Sequence, residues 1–376
     1  MPVTAFGNVA VIIGGINGLC IAWEPSRRGW AVELFERGRC LAQTSSARTM
    51  LLHVGLRYLE QCYLALAAES LRERGRWVSH APQHAHWLHL LLPIYREQRR
   101  ASWQWQVGLG LYDGLALGKL PGFACWLSPQ QLLEIYPELP TQVLKGAWQF
   151  WNGLMDEQAL GGWVLQQAQR AVVLIHECQE VMRFSRHCSI WIRAATPEQP
   201  HNERRFDWVV NACWPWAVQL LAQSGINTDV RLDLVRCSHL LVAPPPGLAL
   251  PTHGLFMEVP GSRRFAFLLP YQEQLLVGTT EEIQELDDPM KPSQRERELL
   301  LELVRLNLPC CDSQARVHGS WFSGMRSIVH SSVDVSQASR DDVFRTQQLL
   351  ILLLGCKWTT ACALAERLTA RAPLID

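Results

Sequence analysis

The apolar run NVAVII over 8–13 reads as a strand buried in a parallel sheet, and the pattern that follows predicts a helix over 16–28. AVELFERG (31–38) reads as the second strand, ending in Glu36. Pro25 falls inside the predicted helix, where proline costs about 3 kcal/mol unless the helix ends or kinks there. Residues 60–78 read as helical, 93–120 mix Arg96, Arg99 and Arg100 with Trp103, Trp105 and Tyr112, and 127–145 read as loops around one short helix. A second βαβ-like region runs from a helix over 156–170 through AVVLIHECQEVMRF (171–184) to FDWVVNACWPW (206–216). Strands dominate 233–280, most clearly RFAFLLP and QLLVGTT. A helix over 293–307 follows, and an apolar strand at 349–354 leads into a helix from about 359. This order predicts an α/β fold whose two chain ends share one Rossmann-like nucleotide-binding lobe, beside a second lobe built on an antiparallel sheet. The expected boundaries put 1–80, 151–225 and 318–376 in the first lobe and 81–150 and 226–317 in the second.

Composition narrows the class. Across 376 residues, 48% are hydrophobic and 19% charged, as in a globular chain with a large core. Lys plus Arg and Asp plus Glu balance at 35 each, so no global field favours nucleic acid. The first apolar run has no basic region before it and no apolar stretch approaches the roughly 18 residues of a membrane span, so neither a secretory signal nor a spanning helix is expected. The twelve cysteines are scattered without a C-x-x-C, which fits a reduced cytoplasmic protein without a metal site better than a disulfide scaffold.

The chemistry begins at GGINGLC. A G-x-G-x-x-G fingerprint would need glycines at 13, 15 and 18; here Gly15 and Gly18 are present, and Ile13 stands in the first place. In that fingerprint the first glycine makes the turn, the second lets backbone approach a pyrophosphate, and the third packs helix on strand. Glu36 follows Gly15 at about the 20-residue spacing of an acid that holds the adenosine ribose.

Further motifs occur in a fixed order: TSSARTMLLHVGLRYLE (44–60), VNACWPW (210–216), SHLLV (238–242), LLVGTTEE (275–282), WFSGMRSI (321–328) and GCKWTTACALAE (355–366). Together with the glycine turn they resemble the FAD-dependent glycerol-3-phosphate dehydrogenases, members of a flavoprotein group that includes glycine and sarcosine oxidases. The resemblance covers nearly the whole chain but stops short of the helical C-terminal domain of longer members. It implies hydride transfer from C2 of sn-glycerol 3-phosphate to FAD, giving dihydroxyacetone phosphate, with electrons passed to a quinone. It also implies site residues. Arg57, Arg326 and Arg340 match arginines of the substrate pocket, Tyr58 lines it, and Glu281 stands where the family has aspartate. His239 would take the C2 hydroxyl proton and Lys357 would stabilise developing negative charge. Around the cofactor it implies Gly14, Gly15, Asn17, Gly18, Glu36, Thr44, Ser45, Ser46, Gly55, Leu56, Val181, Ala212, Gly355, Lys357 and Thr359.

Several positions depart from the family pattern. Ile13, Val54, Trp214, Cys237 and Cys356 stand at glycines, Met50 at a lysine and Cys362 at an arginine. Where a left-handed backbone is needed, each lost glycine costs on the order of 1–2 kcal/mol, and the Trp214 indole is expected to compete with cofactor for space. Four readings are open at this level: the dehydrogenase; a drifted paralogue with impaired flavin binding; an amine oxidase of the same fold that releases hydrogen peroxide; and a binding protein without catalysis. The Arg/Trp segment 96–112 reads either as a solvated face or as a patch resting on the inner face of the cytoplasmic membrane.

Overall fold

The computed structural model describes residues 7–52, 58–59, 63–96, 98, 100–116, 118–194, 202–259, 261–262, 264–330, 343–347, 349–355 and 357–371. Its first sheet has the spatial order Val343–Gln347, Leu350–Leu354, Trp208–Asn211, Asn8–Ile12, Ala31–Phe35 and Leu174–His176. Every pairing is parallel except that of Val343–Gln347 with Leu350–Leu354. Alternate residues of Asn8–Ile12 enter different cores: Val9 and Val11 pack on one face of the sheet, Ala10 and Ile12 on the other. Burial on both faces is why this strand carries no polar alternation. On the first face, helix Ile16–Arg27 packs against Ala361–Arg371 and Glu157–Arg170, so the two ends of the chain share one core. Pro25 lies in the last turn of Ile16–Arg27, which ends two residues later.

The second sheet follows the path Glu282–Ile283, Leu232–Val242, Gln274–Gly278, Phe265–Tyr271, Gly254–Glu258, Ala85–Tyr95, Leu144–Met155 and Leu51–Leu52. Ser320–Val329 pairs with Leu232–Val242 throughout its length, and Cys125–Leu127 pairs with Leu144–Met155. The pairings are antiparallel apart from Gly254–Glu258 with Ala85–Tyr95. Strand Ser320–Val329 was expected on the nucleotide side of a boundary at 318, but its hydrogen bonds put it in the second sheet. The boundary expected at 151 likewise cuts through strand Leu144–Met155. The region 171–205 differs from a plain βαβ unit: after Leu174–His176 it forms a small antiparallel sheet of Gln179–Phe184, Ser189–Ala194 and Asn202–Arg205. The helix expected over 60–78 is Leu64–His80, and the Arg/Trp segment contains helix Ser102–Leu115.

Candidate active site

The turn after Asn8–Ile12 is built backbone against backbone. Ile13 takes a φ of 107°, a region that favours glycine, and its N–H donates to the Phe35 carbonyl at 2.8 Å. A Cβ on Gly18 would lie 2.0 Å from the Ile13 carbonyl oxygen, so helix Ile16–Arg27 approaches the turn as only glycine permits. Gly14 packs against the thiol of Cys40, where a Cβ would meet Sγ at 2.5 Å. The buried Glu36 accepts the N–H groups of Gly14 and Gly38, each at 2.8 Å, and Ser45 Oγ accepts that of Ile16 at 3.0 Å. Each Glu36 oxygen keeps a lone pair for a ribose hydroxyl.

The helix N-terminus opens onto a cleft lined by Gly15, Asn17, Gly18, Glu36, Thr44, Ser45, Val181 and Ala212, all expected from sequence. Its partial positive charge suits a pyrophosphate. Asn17 Oδ1 is buried with no hydrogen-bond partner among the described residues. Trp214 is 8% exposed and belongs to the buried cluster that also holds Cys213, Ala217 and Leu220. The indole lines the cleft. Sequence reasoning missed Arg37, whose guanidinium lies 4.2 Å over the ring of Trp216 at the same cleft. The signal available was its place beside Glu36.

The other replaced positions have separate fates. Met50 has a φ of 58° and is buried. Cys362 packs between the first and last helices, its thiol 3.6 Å from that of Cys20. Gly55, Leu56, Arg57 and Arg340, with Val54 and Cys356, lie outside the described residues. The backbone of Ser46 belongs to the short turn Thr44–Ser46.

Lys357 stands with its Nζ 4.8 Å over the ring of Tyr58. That nitrogen is buried and has no hydrogen-bond partner among the described residues. The segment around it is pinned: Trp77 Nε1 donates to the Thr359 carbonyl at 2.8 Å and Trp358 Nε1 to that of Ser45 at 3.3 Å. Gly355 takes a φ of 80° just before it. Thr359 is buried and does not line the cleft.

His239 is fully buried. Its Nε2 is 3.2 Å from Thr49 Oγ1, and its ring stacks on Phe322 at 4.8 Å. On the other side a Cβ at Gly278 would lie 2.3 Å from its Cδ2, so the glycine makes room for the imidazole. The backbone on either side of Thr49 is held by Glu157, whose carboxylate accepts the N–H groups of Arg48 at 3.0 Å and Met50 at 3.3 Å. Burial pushes the Glu157 carboxyl up to about 7. Arg326 donates to Glu281 at 2.5 Å, and Glu281 also meets Arg264 at 3.4 Å. Burial opposes the charge of Arg326, but Cys237 and Glu281 beside it hold its pKa above the ordinary value. Arg326 Nε is buried without a partner among the described residues.

These residues fit FAD. The glycine cradle, the helix N-terminus and Glu36 suit its adenosine diphosphate portion, and the unpartnered Asn17 Oδ1 and Lys357 Nζ are polar atoms that a cofactor would satisfy. Among the described residues no three His, Cys, Asp or Glu side chains cluster as metal ligands, and no helix is long and apolar enough to cross a membrane. The ten described cysteines are free thiols.

The chain is 28% identical over 382 residues to glycerol-3-phosphate dehydrogenase of Synechocystis sp., covering 96% of this chain and 69% of that protein. It is 26% identical over 363 residues to aerobic glycerol-3-phosphate dehydrogenase of Staphylococcus saprophyticus, covering 94% and 64%. Its fold matches the structure of glycerol-3-phosphate dehydrogenase from Bacillus halodurans complexed with FAD, with a TM-score of 0.75 at 20% identity, covering 100% of this chain and 66% of that one. It thus spans about two thirds of the length of these relatives. The model of the FAD dependent oxidoreductase family matches residues 8–371, and the chain belongs to that family.

Proposed function

We propose that this protein oxidises sn-glycerol 3-phosphate at C2 to dihydroxyacetone phosphate and passes the electron pair to a quinone. The observation that carries the reading is Lys357: a buried cation with no hydrogen-bond partner among the described residues, held over Tyr58 in the matching motif. Bound FAD supplies the hydride acceptor. The chain's own side chains must bind the phosphate, take the hydroxyl proton and offset negative charge at C2 oxygen. Arg326 presents a guanidinium fork for the phosphate, with Glu281 fixing its direction. The resemblance assigns phosphate binding to Arg57 and Arg340 as well, both outside the described residues. His239 takes the C2 hydroxyl proton, its ring set by Thr49 and Phe322. Lys357 stabilises the developing oxyanion.

A quinone acceptor requires a membrane contact, and helix Ser102–Leu115 offers a surface for one. Trp103 (63% exposed), Val107 (64%) and Leu111 (40%) recur at four-residue spacing on its outer face. Its only charged residue is Asp113, which accepts the N–H of Ala124. This apolar, tryptophan-bearing face suits the headgroup region of a bilayer.

The test is the visible spectrum of the FAD-loaded protein, repeated without oxygen after glycerol 3-phosphate is added. Bleaching of the flavin is expected. A flavin that stays oxidised with glycerol 3-phosphate but bleaches with glycine or sarcosine would replace this reading with amine oxidation.

A further inference from the structure

We propose that Glu296 is a positioning residue for the substrate face, holding His239, Glu281 and Arg326 in register from behind their sheet. The claim rests on the glycerol 3-phosphate reading above. Glu296 occupies the third position of helix Gln294–Asn307, where it and Ser293 form a capping box. A capping box needs only those two side chains and sits at a helix end, usually in solvent. Glu296 is instead 2% exposed and takes three more bonds. Its Oε1 accepts from Ser238 Oγ at 2.8 Å and from Thr280 Oγ1, and its Oε2 accepts from Arg236 Nε at 2.9 Å.

Those partners belong to different segments. Ser238 and Arg236 lie on Leu232–Val242, and Thr280 lies in the turn after Gln274–Gly278. Ser238 Oγ is also 2.8 Å from Ser323 Oγ, which brings in Ser320–Val329. The first two segments are further laced by Ser238 N–H to Thr280 Oγ1 at 2.9 Å and Thr280 N–H to the Ser238 carbonyl at 3.2 Å. One carboxylate thus ties together the segments that carry His239, Glu281 and Arg326.

Side chains of successive strand residues point to opposite faces. Ser238 faces Glu296, so its neighbour His239 faces away from it, towards Phe322 and Gly278. Arg326 is an odd number of residues from Ser323 and lies on that same far face, where Glu281, next to Thr280, meets it. Burial opposes the charge on Glu296, but the hydrogen bonds from Thr280, Ser293, Ser238 and Arg236 hold its carboxyl below the ordinary value. Acceptance from all these donors requires a carboxylate. An amide of the same size turns one oxygen into a donor facing other donors.

The experiment compares wild type, Glu296→Gln and Ser293→Ala as FAD-loaded proteins, following anaerobic flavin reduction against glycerol 3-phosphate concentration. Ser293→Ala removes the cap and leaves the tie, so it reads the purely structural contribution. For Glu296→Gln the apparent Kd is expected to rise by about tenfold or more, with FAD content retained. Ser293→Ala should lower the melting temperature with Kd unchanged. A Glu296→Gln protein with wild-type Kd overturns the proposal, as does one whose Kd rises only as much as that of Ser293→Ala. If glycerol 3-phosphate does not bleach the wild-type flavin, the substrate reading fails separately. The positioning claim is then read from inorganic phosphate perturbing the oxidised flavin spectrum. A weaker phosphate response in Glu296→Gln supports it. Superimposable titrations, or no wild-type response at all, overturn it.

Discussion

The carbonyl oxygen of Ile13 lies 2.0 Å from where a Cβ on Gly18 would sit. Turn and helix therefore interlock through their backbones, and Ile13 holds its side of the contact at a φ of 107°. Adding a methyl at Gly18 must push the helix off the turn. Overpacking of this kind costs about 1–3 kcal/mol, so Gly18→Ala is expected to lower the urea midpoint and weaken FAD binding together.

Ile13→Gly makes the opposite change. Relief of about 1–2 kcal/mol of backbone strain is offset by lost apolar contacts of similar size, so the melting temperature should stay near that of wild type. FAD affinity, read by titration of flavin fluorescence, is expected to increase because the cleft loses a branched wall. Weaker binding in Ile13→Gly would show that the isoleucine supports the cofactor.

Lys357→Met removes the buried charge over Tyr58 and keeps the length of the chain. Loss of one donor to a developing oxyanion typically costs about 100-fold in rate. The limiting rate of flavin reduction should fall by that order with FAD still bound. A reduction rate within a few-fold of wild type would assign Lys357 a structural role.

Arg326→Lys keeps the charge but not the fork that meets both Glu281 and a phosphate. We expect its Kd for glycerol 3-phosphate to rise by about tenfold with little change for glycerol, which has no phosphate. Equal losses for both compounds would move the phosphate away from Arg326.

The Glu157 carboxyl is raised from 4.5 to about 7 by burial. Between those values the folded chain keeps a proton that the unfolded chain has released. The stability conferred by that proton is complete below the lower value and is lost as pH rises through the upper one. Wild type should therefore lose about 2–3 kcal/mol more than Glu157→Gln across this window, measured as paired urea unfolding series. Parallel series would mean that Glu157 does not titrate there.

Trp103, Val107 and Leu111 are proposed to meet a membrane. Replacing Trp103 and Val107 with serine should release the protein from anionic vesicles in a sedimentation assay and leave flavin reduction by glycerol 3-phosphate intact. Wild-type protein that stays in the supernatant would remove the membrane from the reading.

Much of the cofactor site was legible in the sequence because its determinants are local. The apolar run of Asn8–Ile12, the positions of Gly15 and Gly18 and the spacing to Glu36 each follow from a short stretch of chain. The substrate side was less so. The family resemblance implied Arg326, His239 and Lys357, but not Thr49 against His239 or Glu157 bonded to the backbone on either side of Thr49, because those contacts join positions far apart in sequence. The sheet that receives WFSGMRSI was hidden for a related reason: its strand pairs with Leu232–Val242, a partner far away in sequence.

The sequence by itself determined the strands Asn8–Ile12, Ala31–Phe35 and Leu350–Leu354 and the glycine turn after the first of them, since apolar runs and glycine positions are read within a few residues. Only the tertiary structure decided how the replaced positions are accommodated. Ile13 takes a positive φ and donates its N–H to Phe35, Trp214 joins the buried cluster at the edge of the cleft, and Glu296 is charged because four donors converge on it. Each outcome depends on groups brought together by folding, so no local pattern could have displayed it.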